Sequence, residues 1–303
     1  MTKLNALNTQ PMVDPAGYID PYTLDELLFH TGTACNLCCS FCLEGSKPGD
    51  NRLQRITLND VMPAIDEAIT LGVKQFSFTG GEPFVVKDFL KILDYASQRR
   101  PCLVLTNGTD PLIKRMDKIT ELLTNPFPVS FRISLDYPDA KRHDAERGSG
   151  SFEKALQGMK LLYQHGFKLS VARQMEKDEN KDIIEKQYQL LLNNYKLPSN
   201  IPIIAFPDFA TPKSNKTGPV ITEQCMKNHT DQSHKSFMCA FSKMIVKQNG
   251  KMRVYACTLV DDDPFYDLGS SLIQSMQKRI YLQHHRCYSC FSHGSSCSEL
   301  LNY

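Results

Sequence analysis

Residues 31–42, Thr-Gly-Thr-Ala-Cys-Asn-Leu-Cys-Cys-Ser-Phe-Cys, set Cys35, Cys39 and Cys42 at Cys-x3-Cys-x2-Cys spacing. Cysteine thiolates are the protein ligands of iron–sulfur clusters. Three of them on one loop can hold three irons of a cubane and leave the fourth iron open to a small molecule. Cys38 also forms Cys-x2-Cys with Cys35, a pairing that zinc uses, although zinc normally takes four closed ligands. A second set lies toward the other end: Cys225, Cys239, Cys257, Cys287, Cys290 and Cys297. Between Cys239 and Cys257 there are 17 residues, and Ser242 to Tyr255 reads as a hairpin turning at Asn249-Gly250. Cys287-x2-Cys290 follows, and four thiolates are equally a structural zinc set. Cys102 stands alone in an apolar run and reads as a packed core thiol. With 11 cysteines and no apolar segment of a secretion signal, the composition points to metal or catalysis rather than disulfides.

The elements that must position these residues alternate along the chain. Strands are expected at Leu27 to Thr33, Gln75 to Thr79, Cys102 to Thr106, Val129 to Leu135, Leu169 to Ala172 and Ile201 to Phe206. Helices are expected after Thr57, with Val61, Ile65, Ala68 and Ile69 at helical spacing, and at Asp88 to Arg99, Leu112 to Leu123, Phe152 to His165 and Ile183 to Leu197. Six βα units predict an α/β fold with a parallel sheet, an open partial (βα)6 TIM-like barrel rather than the closed eight-stranded form. The chemistry-bearing residues fall just after strands, the face on which such folds keep their sites. Residues 1–24 read as an irregular lead-in, 25–215 as the barrel, and 216–303 as a small C-terminal domain of β-hairpin and helix held by metal.

Composition narrows the partners. The net charge of +2 argues against nucleic acid or an anionic membrane as the dominant partner. No run reaches the length of a membrane span, and the expected location is cytoplasmic.

Phe41 stands just before the last cysteine of the triad, and Gly80-Gly81-Glu82-Pro83 follows the second strand. The two motifs together, in this order on successive βα units, resemble the radical S-adenosylmethionine (radical SAM) superfamily. In that family the glycine-rich turn receives the amino group of the methionine moiety, and small glycines with a nearby carboxylate suit a cation. The resemblance implies a [4Fe–4S] cluster on Cys35, Cys39 and Cys42, with Cys38 a bystander. It also implies a SAM site drawn from Phe41, Gly80, Gly81, Glu82, Pro83, Thr106, Asn107, Ser134, Asp136 and Arg173, with Arg173 a fork for the SAM carboxylate. Asp144, Glu146 and Arg147, before Gly148-Ser149-Gly150, look like a solvated loop of the family.

The C-terminal cysteines resemble the auxiliary-cluster modules called SPASM and twitch, and the 17-residue gap is similar to the twitch module of 2-deoxy-scyllo-inosamine dehydrogenase. The resemblance implies one auxiliary [4Fe–4S] cluster on Cys239, Cys257, Cys287 and Cys290. Cys225 and Cys297 are then reserve ligands or plain thiols, and six residues between Gly250 and Cys257 are two more than the usual pattern. His229, His234, His284, His285 and His293 surround these cysteines and read as surface residues. The implied activity is reductive cleavage of SAM to a 5′-deoxyadenosyl radical, hydrogen abstraction, and oxidation of a small-molecule metabolite. An external one-electron donor such as flavodoxin or ferredoxin is implied with it. Maturation of a ribosomally made peptide is the first alternative, and residues 1–24 are too few for a leader-binding domain. A non-catalytic iron–sulfur or zinc regulator is the second, against which Gly80 to Pro83 argues. RNA modification is the third.

Overall fold

Phe76 and Phe78 alternate with Gln75, Ser77 and Thr79, and that two-residue period decides which way the central strand faces. The computed structural model describes residues 15–211 and 218–293. Its strands are β1 (Tyr18–Ile19), β2 (Glu26–His30), β3 (Gln75–Thr79), β4 (Cys102–Thr106), β5 (Val129–Ser134), β6 (Lys168–Gln174), β7 (Ile203–Phe206), β8 (Ser242–Gln248), β9 (Lys251–Tyr255), β10 (Asp267–Gly269) and β11 (Ile280–Tyr281). Strands β2 to β7 lie side by side in sequence order, all parallel. Helices follow most of them, which is the right-handed βα arrangement expected of such connections. The six expected strands and the open, partial barrel are therefore observed.

Against the helices, a run of aromatic rings seals the outer face of the sheet. Phe29 stacks on Phe78 at 5.6 Å, Phe78 meets Phe89 at 5.6 Å, and Phe89 meets Phe84 at 5.1 Å. Edge-to-face and offset rings at such distances add to the stability that burial alone provides. The inner face is more polar: Glu26 on β2 accepts hydrogen bonds from Gln75 (3.1 Å) and Ser77 on β3, all three fully buried.

Several expectations are corrected. The sheet does not stop at residue 215. β8 pairs in parallel with β2, Leu28 opposite Met244, so the C-terminal hairpin extends the same sheet to nine strands in the order β10-β9-β8-β2-β3-β4-β5-β6-β7. The lead-in is not wholly irregular, because β1 pairs antiparallel with β11. The helix expected from Leu112 to Leu123 is two short pieces, Asp110–Ile113 and Met116–Glu121. The stretch read as a solvated loop is a helix, Ala140–Arg147, started by Asp139, whose side chain accepts from Arg142 N. It has no apolar stripe to announce it, and His143 is its one buried residue.

The hairpin is as the sequence predicts. Asn249 (φ +49°) and Gly250 (φ +75°) both take left-handed backbone, the requirement of a two-residue turn whose twist matches its strands. No described helix is long and apolar enough to cross a membrane.

Candidate active site

The loops of the expected cluster and SAM residues leave the C-terminal ends of parallel strands. The cysteine loop follows β2, Gly80 to Pro83 follows β3, Asn107 follows β4, Asp136 follows β5, and Pro207 to Phe209 follows β7. They surround a cavity of about 260 Å³. Its lining includes Cys39, Phe41, Cys42, Gly80, Gly81, Ser134, Asp136 and Arg173 from the sequence reading. It also includes Arg147, Phe209 and Thr258, which sequence reasoning did not place there.

The two glycines have a packing reason. A Cβ on Gly81 would lie 2.3 Å from the carbonyl oxygen of Ala34, and one on Gly80 (φ +145°) would lie 2.6 Å from Thr31 Oγ1. The turn is thus pressed against the start of the cysteine loop, and Gly81 N donates to Gly32 O (2.9 Å) while Glu82 N donates to Ala34 O (3.0 Å). The sequence argument for glycine was access to a ligand; the contact observed is with the loop backbone.

Glu82, Thr106 and Asn107 stand behind the cavity wall. The Glu82 carboxylate accepts from Phe84 N (3.0 Å), Thr106 Oγ1 (2.8 Å) and Asn107 N (2.8 Å). Burial pushes this carboxyl up to about 7 despite those donors. Pro83 starts the short turn that follows. Asn107 in turn donates to Asn36 Oδ1 (3.0 Å), and Asn36 donates to Thr109 Oγ1 (3.0 Å), which ties the cysteine loop to the end of β4. Asn36 was missed because a lone asparagine between cysteines carries no spacing signal.

Arg173 forms a bidentate pair with Glu179 at 2.8 and 2.5 Å, so its fork is engaged within the protein. Arg147 is paired with Asp136 and lies 5.4 Å over the Phe41 ring. Its charge bears on Cys39 and Cys42, where it favours the thiolate. The helix Ala140–Arg147 therefore supplies a cation that bears on the cysteines, and only a reading that paired Asp136 with Arg147 would have found it.

Burial pushes the Cys35 thiol up to about 12, and raises Cys39 and Cys42 as well. The thiols raise one another too, so a deprotonated set needs a cation among its sulfurs, as metal binding supplies. Cys38 is exposed, in keeping with a bystander.

The second set converges. Cys239 in the helical turn Met238–Phe241, Cys257 after β9, and Cys287 and Cys290 on the helix His285–His293 all line one cavity of about 30 Å³. The two helix cysteines are three apart and so share a face. Burial pushes Cys287 and Cys290 up to about 12 and raises Cys239 and Cys257. Buried Lys243 donates to Cys239 O (2.8 Å) and places a cation beside the set. Four thiols around one cavity are a donor set for a [4Fe–4S] cluster and equally for a structural zinc ion.

Of the remaining candidates, Cys225 lies 3.4 Å from Thr222 Oγ1 and does not line either cavity. Cys102 is fully buried, as expected. His229, His234, His284 and His285 line neither cavity. His284 is largely buried and stacked on His285 at 4.3 Å rather than on the surface. Cys297 and the side chain of His293 lie outside the described residues.

A buried group of His30, Glu44 and Asp261 also brings metal-capable atoms within 4.8 Å. His30 Nδ1 accepts from Gly32 N (3.1 Å), so the ring proton sits on Nε2, facing Glu44 at 3.3 Å. Arg52 donates to Glu44 at 2.8 Å and reaches Asp261 at 3.5 Å. Together these groups form an ion-pair lattice between the two cysteine-bearing segments.

The radical SAM superfamily model matches residues 29–186, just over half of the chain. The chain belongs to that superfamily. It is 28% identical over 151 residues to a GTP 3′,8-cyclase of Pasteurella multocida, covering 48% of this chain and 43% of that protein. It is 34% identical over 135 residues to the mycofactocin maturase MftC of Mycolicibacterium smegmatis, covering 44% of this chain and 33% of the relative. The matched stretch is thus less than half the length of either. Among solved structures, Streptococcus suis SuiB bound to its precursor peptide SuiA superposes with a TM-score of 0.63 at 14% identity, over 86% of this chain and 66% of that one. That likeness, in fold alone, covers more of the chain than the family match does. The superfamily binds a [4Fe–4S] cluster and SAM, and this chain has the cysteines for an auxiliary cluster besides.

Proposed function

We propose that this chain is a radical SAM oxidoreductase in which Cys35, Cys39 and Cys42 hold the SAM-binding [4Fe–4S] cluster and Cys239, Cys257, Cys287 and Cys290 hold one auxiliary [4Fe–4S] cluster. One observation carries the reading: a single cavity runs from Cys39 and Cys42 to Thr258, the neighbour of Cys257. Loaded with clusters and SAM, and reduced by an external donor such as flavodoxin or ferredoxin, it would supply reductive cleavage of SAM for hydrogen abstraction and an acceptor for the electron left on the substrate.

The chain's own residues do the rest. Phe41, Gly80, Gly81, Ser134 and Asp136 form the wall that receives SAM, and Arg147 and Arg173 bring positive charge to the same wall. Glu82, Thr106 and Asn107 hold that wall in register with the cysteine loop. Leu28, Leu105, Phe206, Phe209 and Met244 line the same cavity and keep water from a reactive centre.

A small metabolite is the substrate class expected from the sequence. A peptide is the second reading, favoured by the maturase among the relatives. The test is anaerobic incubation of reconstituted, reduced protein with SAM, reading 5′-deoxyadenosine by mass spectrometry with and without fractions of a native extract. Stimulation by the low-mass filtrate supports a metabolite, and stimulation by the retained peptide fraction supports a peptide. No 5′-deoxyadenosine under any condition would overturn the enzyme reading.

A further inference from the structure

Arg286 is 1% exposed, and its guanidinium donates to four backbone carbonyls in three separate segments. Nε donates to Phe209 O (3.0 Å), and Nη2 to Ala210 O (3.0 Å) and Leu43 O (3.3 Å). Nη1 donates to Leu259 O (2.9 Å) and to the Asp262 carboxylate (3.1 Å). Each acceptor has a place in the site. Leu43 follows Cys42, Leu259 lies two beyond Cys257, and Phe209 forms the cavity wall after β7. Arg286 itself precedes Cys287 and lines the smaller cavity. Ala210 sits at φ +62°, left-handed backbone that an alanine holds only where its surroundings impose it.

We propose that Arg286 is a positioning residue that couples the two cysteine sets, so that ordering of either set orders the other and the cavity wall between them. A buried arginine has five N–H donors in a rigid fork and no other way to satisfy them, so its acceptors must move together. The coupling rests on these contacts alone; its consequence for two clusters rests on the proposed function. By thermodynamic reciprocity, loading the C-terminal set then stabilises the loop of Cys42, and loading that loop stabilises the helix of Cys287.

Hydrogen–deuterium exchange on metal-free Arg286→Lys tests the coupling without any cluster. Peptides spanning 42–46, 207–211 and 258–262 should exchange about tenfold faster together, the scale of a lost charged hydrogen bond, while β3 to β5 stay protected. Deprotection confined to 284–293, or no change, would overturn the coupling. Should Arg286→Lys deprotect the whole chain, Asp262→Asn, which removes the charged partner that holds the fork in place, is read on the same three peptides: a smaller but concerted deprotection of all three is expected, and deprotection confined to 258–262, or none, would overturn the coupling. In reconstituted Arg286→Lys with its full iron content, the paramagnetic resonance signal of the reduced N-terminal cluster should lose its wild-type response to SAM. An unchanged response at full iron content would overturn the positioning role even where exchange had changed.

Discussion

At the scale of single residues, the glycine pair shows how one motif serves two demands. Gly81 is needed because Ala34 O lies where its Cβ would be. Gly81→Ala should therefore displace the cysteine loop and cost about 1–3 kcal/mol, the range of an overpacked core position, read by urea denaturation of the metal-free protein. An unchanged midpoint would mean that the loop yields freely. Glu82 gives a pH-dependent effect. Its carboxyl ionises near 7 in the fold because burial opposes the charge, against 4.5 ordinarily. The group's contribution is therefore full below about 4.5 and is lost as pH rises through 7. The stability difference between the native protein and Glu82→Gln should shift against the native protein across that window, and a difference constant with pH would contradict it. Cysteine spacing, Phe41 and Gly80 to Pro83 were legible because they are local patterns. Arg147 was not, since a charged residue becomes a site residue only when an ion pair with Asp136 buries it.

At the scale of elements, the strands were readable and their long-range partners were not. Alternation in Gln75–Thr79 and the Asn249–Gly250 turn declare themselves within a few residues. The parallel pairing of β8 with β2 joins strands far apart in sequence, and no local period encodes it. The Ala140–Arg147 helix escaped for the converse reason, having no apolar face to read. The hairpin is pinned at its tip, where Gly250 N donates to Gln54 Oε1 (2.6 Å). Gly250→Ala must hold φ at +75° with a Cβ, and should cost about 1–2 kcal/mol. Calorimetry or urea titration reads it, and a cost near zero would show that the turn can be redrawn without loss.

At the scale of the whole molecule, two sets of cysteines far apart in sequence are brought to one sheet. β8 and β9 carry the second set's framework directly beside β2, which leads into the first. The ion pairs of Glu44, Arg52 and Asp261 and the fork of Arg286 then bind the two loops to each other. The sequence implied both sets by resemblance, but not that the cavity of the first reaches Thr258 beside Cys257, because that part of the wall is built from Phe209 and Thr258, which follow no motif. The most direct measurement is iron content and SAM cleavage in a pair of variants after anaerobic reconstitution. The native chain should hold about eight irons, and Cys39→Ala and Cys257→Ala about four each. Cys39→Ala should make no 5′-deoxyadenosine, while Cys257→Ala should still make it. About four irons in the native chain, or cleavage surviving in Cys39→Ala, would contradict two clusters of which the N-terminal one binds SAM.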